Sequence, residues 1–257
     1  MPKMNILGIY MDCISYKDMF QIFDGWLSDK NSRSHTLSVV NVKGCVDGLF
    51  DKQVRDIYNS TDIVGIDSMP FLHWARMFYN KKSDRLYAPD LMMEISSKAK
   101  ENGYTFFLYG GYPEAPDKME EYLTKRFDGI NIVGKYSPPF RPLTEKEDQE
   151  ICDMVNTLKP DFFFIGLGSP KQDIWLHEHR EKIRGTIMIP SGATFDFFSG
   201  RIKQAPQWIR NIGFEWFYRL TQDFRRLWVR YTLYNIIFVI VFPLQLLHIV
   251  KFNNKTN

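Results

Sequence analysis

Between Lys159 and Gly200 the chain reads KPDFFFIGLGSPKQDIWLHEHREKIRGTIMIPSGATFDFFSG, a run that few folds accommodate. Phe162 to Ile165 is short and wholly apolar, bounded by Lys159-Pro160 and Gly166, the mark of a strand buried on both faces. Gly166 and Gly168 permit a tight turn with close backbone approach. Ser169 is placed to cap, and Pro170 to open, the helix that follows. A helix N-terminus just past a strand end presents free N–H groups and partial positive charge, which suits an anion such as a diphosphate. Lys171, Gln172 and Asp173 add polar side chains able to grip a ligand. An ordinary strand-to-helix connection in an α/β protein has the same glycines, so Gly-x-Gly alone does not separate the two.

The rest of the chain alternates in kind. Strands are predicted at 5–10, 36–40, 62–66, 105–109, 130–133, 162–165 and 186–189. Helices are predicted at 16–27, 45–58, 71–79, 91–101, 114–126, 146–158 and 170–183, with a short one near Ala193. Asp90 is read as the cap of the 91–101 helix and Gly103 as its close. Such alternation means strand–helix–strand units and a mostly parallel, Rossmann-like sheet flanked by helices. The expected division is one α/β domain over 1–200 and a helical appendage over 201–257.

In open parallel sheets, ligands bind at the carboxyl ends of strands. The residues predicted there are Asn41, Asp67, Gly110 with Gly111, Gly134 with Tyr136, Gly166 to Gln172, and Ser191 to Asp196. Asp67, a carboxylate directly after an apolar strand, is placed to take a proton from a sugar hydroxyl, or to cap the next helix. Asn41 suits ligand binding or the needs of its own turn. Arg85 suits a phosphate or a solvated loop. The histidines follow no metal-ligand spacing, and nucleophile-elbow, P-loop, zincin and full dinucleotide fingerprints are missing.

Charge divides the chain. Residues 1–200 carry a net −4, whereas 201–257 carry nine Lys+Arg against Glu215 and Asp223, a net of +7. A basic tail suits an anionic membrane surface or a polyphosphate, and no nucleic-acid motif accompanies it. Cys13, Cys45 and Cys152 are scattered and read as reduced, buried thiols. The N-terminus has no apolar h-region and reads as having no signal peptide. Tyr234 to Val250 is apolar but interrupted by Asn235, Pro243, Gln245 and His248. At 17 residues it is at the short limit for a membrane span. A helix lying in or dipping into the cytoplasmic leaflet is preferred to a full span. Packing on the core is disfavoured because Ile236 to Phe242 offers no polar face.

Taken in order, Asn41, TDIVGIDSMPFLHWAR, RLYAPDL, FFLYGGYPE, IVGKYSPPF, KPDFFFIGLGSPKQD, SGATFDFFSG and QAPQWIRNIGFEWFYRLTQDFRRLWVRY resemble the WecG/TagA/CpsF glycosyltransferases (glycosyltransferase family 26), over roughly residues 36–231. The resemblance implies an inverting transferase of the GT-E type that uses neither metal nor cofactor. It implies transfer of an N-acetylmannosamine-type or related sugar from a UDP-sugar to an undecaprenyl-diphosphate-linked acceptor in cell-surface polysaccharide synthesis. Asp67 corresponds to the family's general base, and Arg85 and Gln172 to polar residues of the same pocket. Gly110, Gly111, Gly134 and Tyr136 fall in segments around the nucleotide, with Asn41, Gly166, Gly168, Pro170, Lys171 and Asp196 as further binding positions. Arg219, Arg225, Arg226 and Arg230 match the cations of an appendage that closes over the site at the membrane, where they would balance the diphosphate charge that a metal handles elsewhere. The implied place is peripheral, on the cytoplasmic face of the plasma membrane; homo-oligomerisation stays open.

Val39, Ser68, Asp173 and Gln204 stand where the family pattern has Thr, Gly, Glu and Arg. These changes bear on the donor sugar more than on the reaction, although loss of the Thr hydroxyl also allows a weak or inactive enzyme. A non-catalytic membrane scaffold that binds nucleotide sugar is the second reading, and a dinucleotide oxidoreductase the third.

Overall fold

The structure, a computed structural model, describes residues 1–222 and 224–252. The side chains of Arg226, Val229 and Arg230 lie outside the described residues. Six strands form one sheet in the order β4(Ile63–Ile66), β3(His35–Val40), β8(Ile187–Pro190), β7(Phe162–Gly166), β5(Thr105–Gly110), β6(Asn131–Tyr136). The β3–β8, β8–β7, β7–β5 and β5–β6 pairs are all parallel, and helices flank them, so the expected Rossmann-like α/β class is the observed one. A separate antiparallel hairpin joins β1(Lys3–Ile6) and β2(Ile9–Asp12). The chain groups into two compact units, one from residues 1–16, 39–86 and 204–257, the other from 17–38 and 87–203.

The second unit is built on aromatic strands. Alternate side chains leave opposite faces of a strand. Phe106 therefore stacks with Phe162 and Phe164 on one face, while Phe107, Phe163 and Tyr109 meet on the other. All six are at most 1% exposed, so β5 and β7 are core on both sides. Helix α1(Tyr16–Leu27) lays Phe23 against Phe162. α8(Glu145–Leu158) begins with a complete capping box, Thr144 with Glu147, and α9(Lys171–His179) follows β7. A hydrogen-bonded strut ties these two helices. His179 Nε2 lies 2.7 Å from Asp148 Oδ2, its Nδ1 lies 2.6 Å from the Trp175 carbonyl, and Trp175 Nε1 donates to Asp148 Oδ1. Burial alone would raise the Asp148 carboxyl, but the His179 and Trp175 hydrogen bonds outweigh it and hold it below its ordinary value.

Several local expectations are corrected. Residues 5–10 are not one strand: Leu7 and Gly8 take positive φ values of 50° and 88° and turn the chain into the hairpin. The 45–58 helix is two, α2(Val42–Phe50) and α3(Lys52–Ser60), because the Asp51 side chain accepts from the Gln53 and Val54 N–H groups and caps a new start. α5(Ala88–Ser97) starts before Asp90, with Pro89 in its first turn; Gly103 closes a separate short turn, α6(Ala99–Asn102). Pro170 occupies the cap position rather than the first helical position, so the cap falls one residue past Ser169. α9 also stops at His179, short of residue 183.

The first unit packs the hairpin, α2, α3, β4 and α4(Met69–Phe78) around Met4, Ile6, Ile9, Met11, Val64 and Phe71, all at most 2% exposed. Three helices complete it: α11(Gln207–Asn211), α12(Glu215–Gln222) and α13(Phe224–Leu246). Phe238, Val241 and Phe242 of α13 join this core, and Phe238 sits over Phe71 at 5.3 Å. Gln245 accepts from the Leu7 N–H at 2.8 Å and donates to the Asn5 carbonyl at 3.1 Å, while Asn5 Nδ2 donates to the Phe252 carbonyl at 3.1 Å. Packing on the core, disfavoured from sequence, is thus what the inner face does. The helix has two apolar faces, and Leu233, Ile236, Val239 and Ile240 of the outer one are about half or more exposed. Among the described residues no helix is long and apolar enough to cross a membrane.

Candidate active site

Asp67 follows β4 at the strand's carboxyl end. Its N–H bonds the Val40 carbonyl at 3.1 Å, which carries β3–β4 pairing one residue past the strand. It does not cap α4; Ser68 occupies that position. The carboxylate is held from two sides instead. Asn41 Nδ2 donates to Asp67 Oδ2 at 3.0 Å, and Arg85 Nη2 donates to Oδ1 at 3.3 Å. Asn41 is itself fixed as the cap of α2, its Oδ1 accepting from the Gly44 N–H at 3.2 Å. Each carboxylate oxygen therefore has one donor in place and a second acceptor position left over.

Arg85 is anchored more firmly than a loop arginine need be. Its Nε donates to the Asp67 backbone carbonyl. Its own carbonyl accepts from the Tyr16 hydroxyl at 2.9 Å, and the next residue, Leu86, donates to the Ile66 carbonyl at 2.8 Å. A further carboxylate completes the cluster, for Glu215 Oε2 on α12 lies 3.6 Å from Arg85 Nη2. Asn41, Asp67 and Arg85, separated in sequence, are therefore brought together. Glu215 is the participant that sequence reading missed. Sequence marks it only as one of two acids in a basic segment, with nothing to tie it to Arg85.

In the second unit the glycines divide by reason. Gly110, at φ 124°, faces the Gly166 backbone so closely that a Cβ would lie 2.5 Å from it, and the Gly111 N–H bonds the Gly166 carbonyl at 3.0 Å. Gly166 lies under the Phe195 ring, and Gly134 under Phe107 and Leu158. Packing alone thus accounts for those two positions. Gly168 differs: it has φ 80°, and a Cβ added there would meet nothing within 4 Å, so open space lies beside the turn.

Gln172 holds this turn. Its Oε1 accepts from the Gly168 N–H at 3.1 Å and the Gly192 N–H at 3.0 Å, joining the turn after β7 to the one after β8. Two backbone donors on one atom settle which end is oxygen, leaving the amide nitrogen as the end available to a ligand. Lys171 is exposed at the start of α9, and Pro170 is half-buried. Asp173 is buried and accepts from Ser38 Oγ at 3.1 Å. Asp196 pairs with Arg201 at 3.3 Å, and Tyr136 stacks parallel to Tyr109 at 6.3 Å. The same unit carries an open cavity of about 510 Å³ lined by Tyr112, Lys118, Phe140, Ser199, Gly200 and Arg201. Lys118 and Arg201 lie 5.4 and 5.6 Å from the Tyr112 ring centre.

Of the four basic positions on the appendage, Arg219 is half-buried on α12 and Arg225 exposed on α13, while the Arg226 and Arg230 side chains fall outside the described residues. Asp148, Cys152 and His179 offer ligand atoms within 4.8 Å of one another. Both ring nitrogens of His179 already face acceptors, as the α8–α9 strut requires.

A family model described as the glycosyl transferase WecG/TagA/CpsF family matches residues 4–251, nearly the whole chain.

Proposed function

The chain belongs to the WecG/TagA/CpsF glycosyltransferase family and so is a transferase of cell-surface polysaccharide synthesis; from that premise we propose that it moves a hexose, of the N-acetylmannosamine type or a close relative, from UDP to a lipid-diphosphate-linked saccharide with inversion. The observation that carries this is the Asp67 carboxylate, held at a strand end by Asn41 and Arg85 with acceptor capacity to spare. In this reading Asp67 takes the proton of the acceptor hydroxyl as that oxygen attacks the anomeric carbon, and UDP departs from the opposite face. Transfer needs the hydroxyl proton removed and the diphosphate charge balanced. The first falls to Asp67. For the second, the candidate donors are the Gln172 amide nitrogen and Lys171 in the one unit and the appendage arginines in the other, Arg219 and Arg225 among them, without a metal. The cavity beside Tyr112, with its aromatic wall and two cations, suits a planar ring bearing acceptor groups, such as uracil.

The outer face of α13 supports a peripheral membrane location. Ile236, Val239 and Ile240 together would contribute several kcal/mol on burial in a membrane surface, at about 1.5–3 kcal/mol each, next to a basic sequence.

The test is product formation. Vesicles carrying lipid-diphosphate-N-acetylglucosamine are mixed with the protein and UDP-N-acetylmannosamine, its uronic acid or UDP-glucose, and the lipid product is weighed by mass spectrometry and its anomeric configuration read by NMR. One donor is expected to give an inverted, hexose-extended lipid. UDP binding without product from any donor would favour a nucleotide-sugar-binding scaffold instead.

A further inference from the structure

Glu215 takes no part in the chemistry above, yet it is only 6% exposed. A carboxylate so far from water is costly unless a cation or hydrogen bonds compensate it. A cation is at hand in Arg85, whose Nη2 stands 3.6 Å from Glu215 Oε2 and 3.3 Å from Asp67 Oδ1. One guanidinium nitrogen thus faces two carboxylates, one from the end of β4 and one from α12. The Nε of that guanidinium is bonded to the Asp67 carbonyl and the Tyr16 hydroxyl holds the residue's backbone, while Glu215 adds a contact at the Nη2 end. On the far side of the Asp67 carboxylate the donor is the neutral amide of Asn41, and the nearby Asp84 is paired with Arg76 at 3.4 Å.

We propose that Glu215 is a positioning residue: it holds Arg85 between the two carboxylates and thereby sets how readily Asp67 takes up a proton. This deepens the transferase reading and rests on Asp67 acting as the base. Removing the charge at residue 215 takes a negative neighbour from the vicinity of Asp67, which favours the ionised form of its carboxyl.

Two measurements on the full-length protein separate the outcomes. The first is the carboxyl carbon-13 titration of Asp67, assigned with Asp67→Asn, in the wild type, Glu215→Gln and Glu215→Asp. The midpoint is expected to move to lower pH in Glu215→Gln and to return toward the wild type in Glu215→Asp. The second is the pH profile of kcat/KM. Glu215→Gln is expected to move the acid limb in the same direction and to lower the rate roughly 10- to 100-fold, the scale of a small misplacement, with Glu215→Asp restoring the limb. An unmoved Asp67 midpoint in a folded Glu215→Gln protein overturns the inference, whatever the activity. A moved midpoint with no turnover by the wild type upholds the coupling and removes the transferase reading instead.

Discussion

At the residue scale, the most informative positions are those where a side chain has no room. A Cβ at Gly110 would lie 2.5 Å from the Gly166 backbone, at φ 124°. Backbone cannot step aside as a side-chain tip can, so Gly110→Ala is expected to cost at least the 1–3 kcal/mol, roughly, of a forbidden conformation. A urea midpoint equal to the wild type's would contradict that. The thiols make a second case. Burial pushes the Cys13 and Cys152 thiols up to about 11, with the neighbouring Asp12 and Asp148 adding to it, and it raises Cys45 well above its ordinary value. Native thiols are therefore protonated at pH 8 and are expected to react with a thiol reagent only on unfolding, whereas burst labelling of the native protein would refute their burial. The sign for stability follows. Unfolded cysteines lose protons from their ordinary 9.0 upward while native Cys13 and Cys152 keep theirs to about 11. The native state then holds more protons, and stability falls as pH rises through that window.

At the scale of elements, α13 makes opposite demands on its two faces. Phe238 and Phe242 pack on the core and Gln245 latches the hairpin. Gln245→Ala leaves the Leu7 N–H without its acceptor and is expected to cost about 1–3 kcal/mol, read as a lower thermal midpoint with vesicle binding preserved. Replacing Ile236, Val239 and Ile240 with Ser should do the reverse, keeping the thermal midpoint and weakening sedimentation with anionic vesicles at least tenfold. Loss of folding in the second variant would mean that the outer face is core. Sequence patterning reached the strands because β5 and β7 are apolar on both faces, and it reached α1 because Phe20 and Phe23 recur at helical spacing. It failed where one residue redirects the chain. Gly8 alone reads as tolerated within a strand, and the residue type of Leu7 does not announce the left-handed conformation it takes beside it. Asp51 announced a helix start, but one hidden within a longer helical pattern. The two faces of α13 were indistinguishable because both are apolar, and only the partners of Phe238 and Gln245 tell them apart.

At the scale of the whole molecule, the grouping of segments escapes sequence order. Residues 1–16, 39–86 and 204–257 form one unit because distant pairs such as Asn5 with Phe252, and Arg85 with Glu215, close it. Asp67, Asn41 and Arg85 could be nominated from strand ends and family likeness. Glu215 could not, since its partner Arg85 is far away in the chain and no periodicity links the two. The account's central claim is that Asp67 is the base of a glycosyl transfer. Its most direct test is single-turnover transfer by Asp67→Asn, an isosteric change that keeps an acceptor for Arg85, with donor affinity measured on the same preparation. The predicted result is a rate lower by about 10²- to 10⁴-fold at unchanged donor affinity. Transfer at the wild-type rate would contradict it.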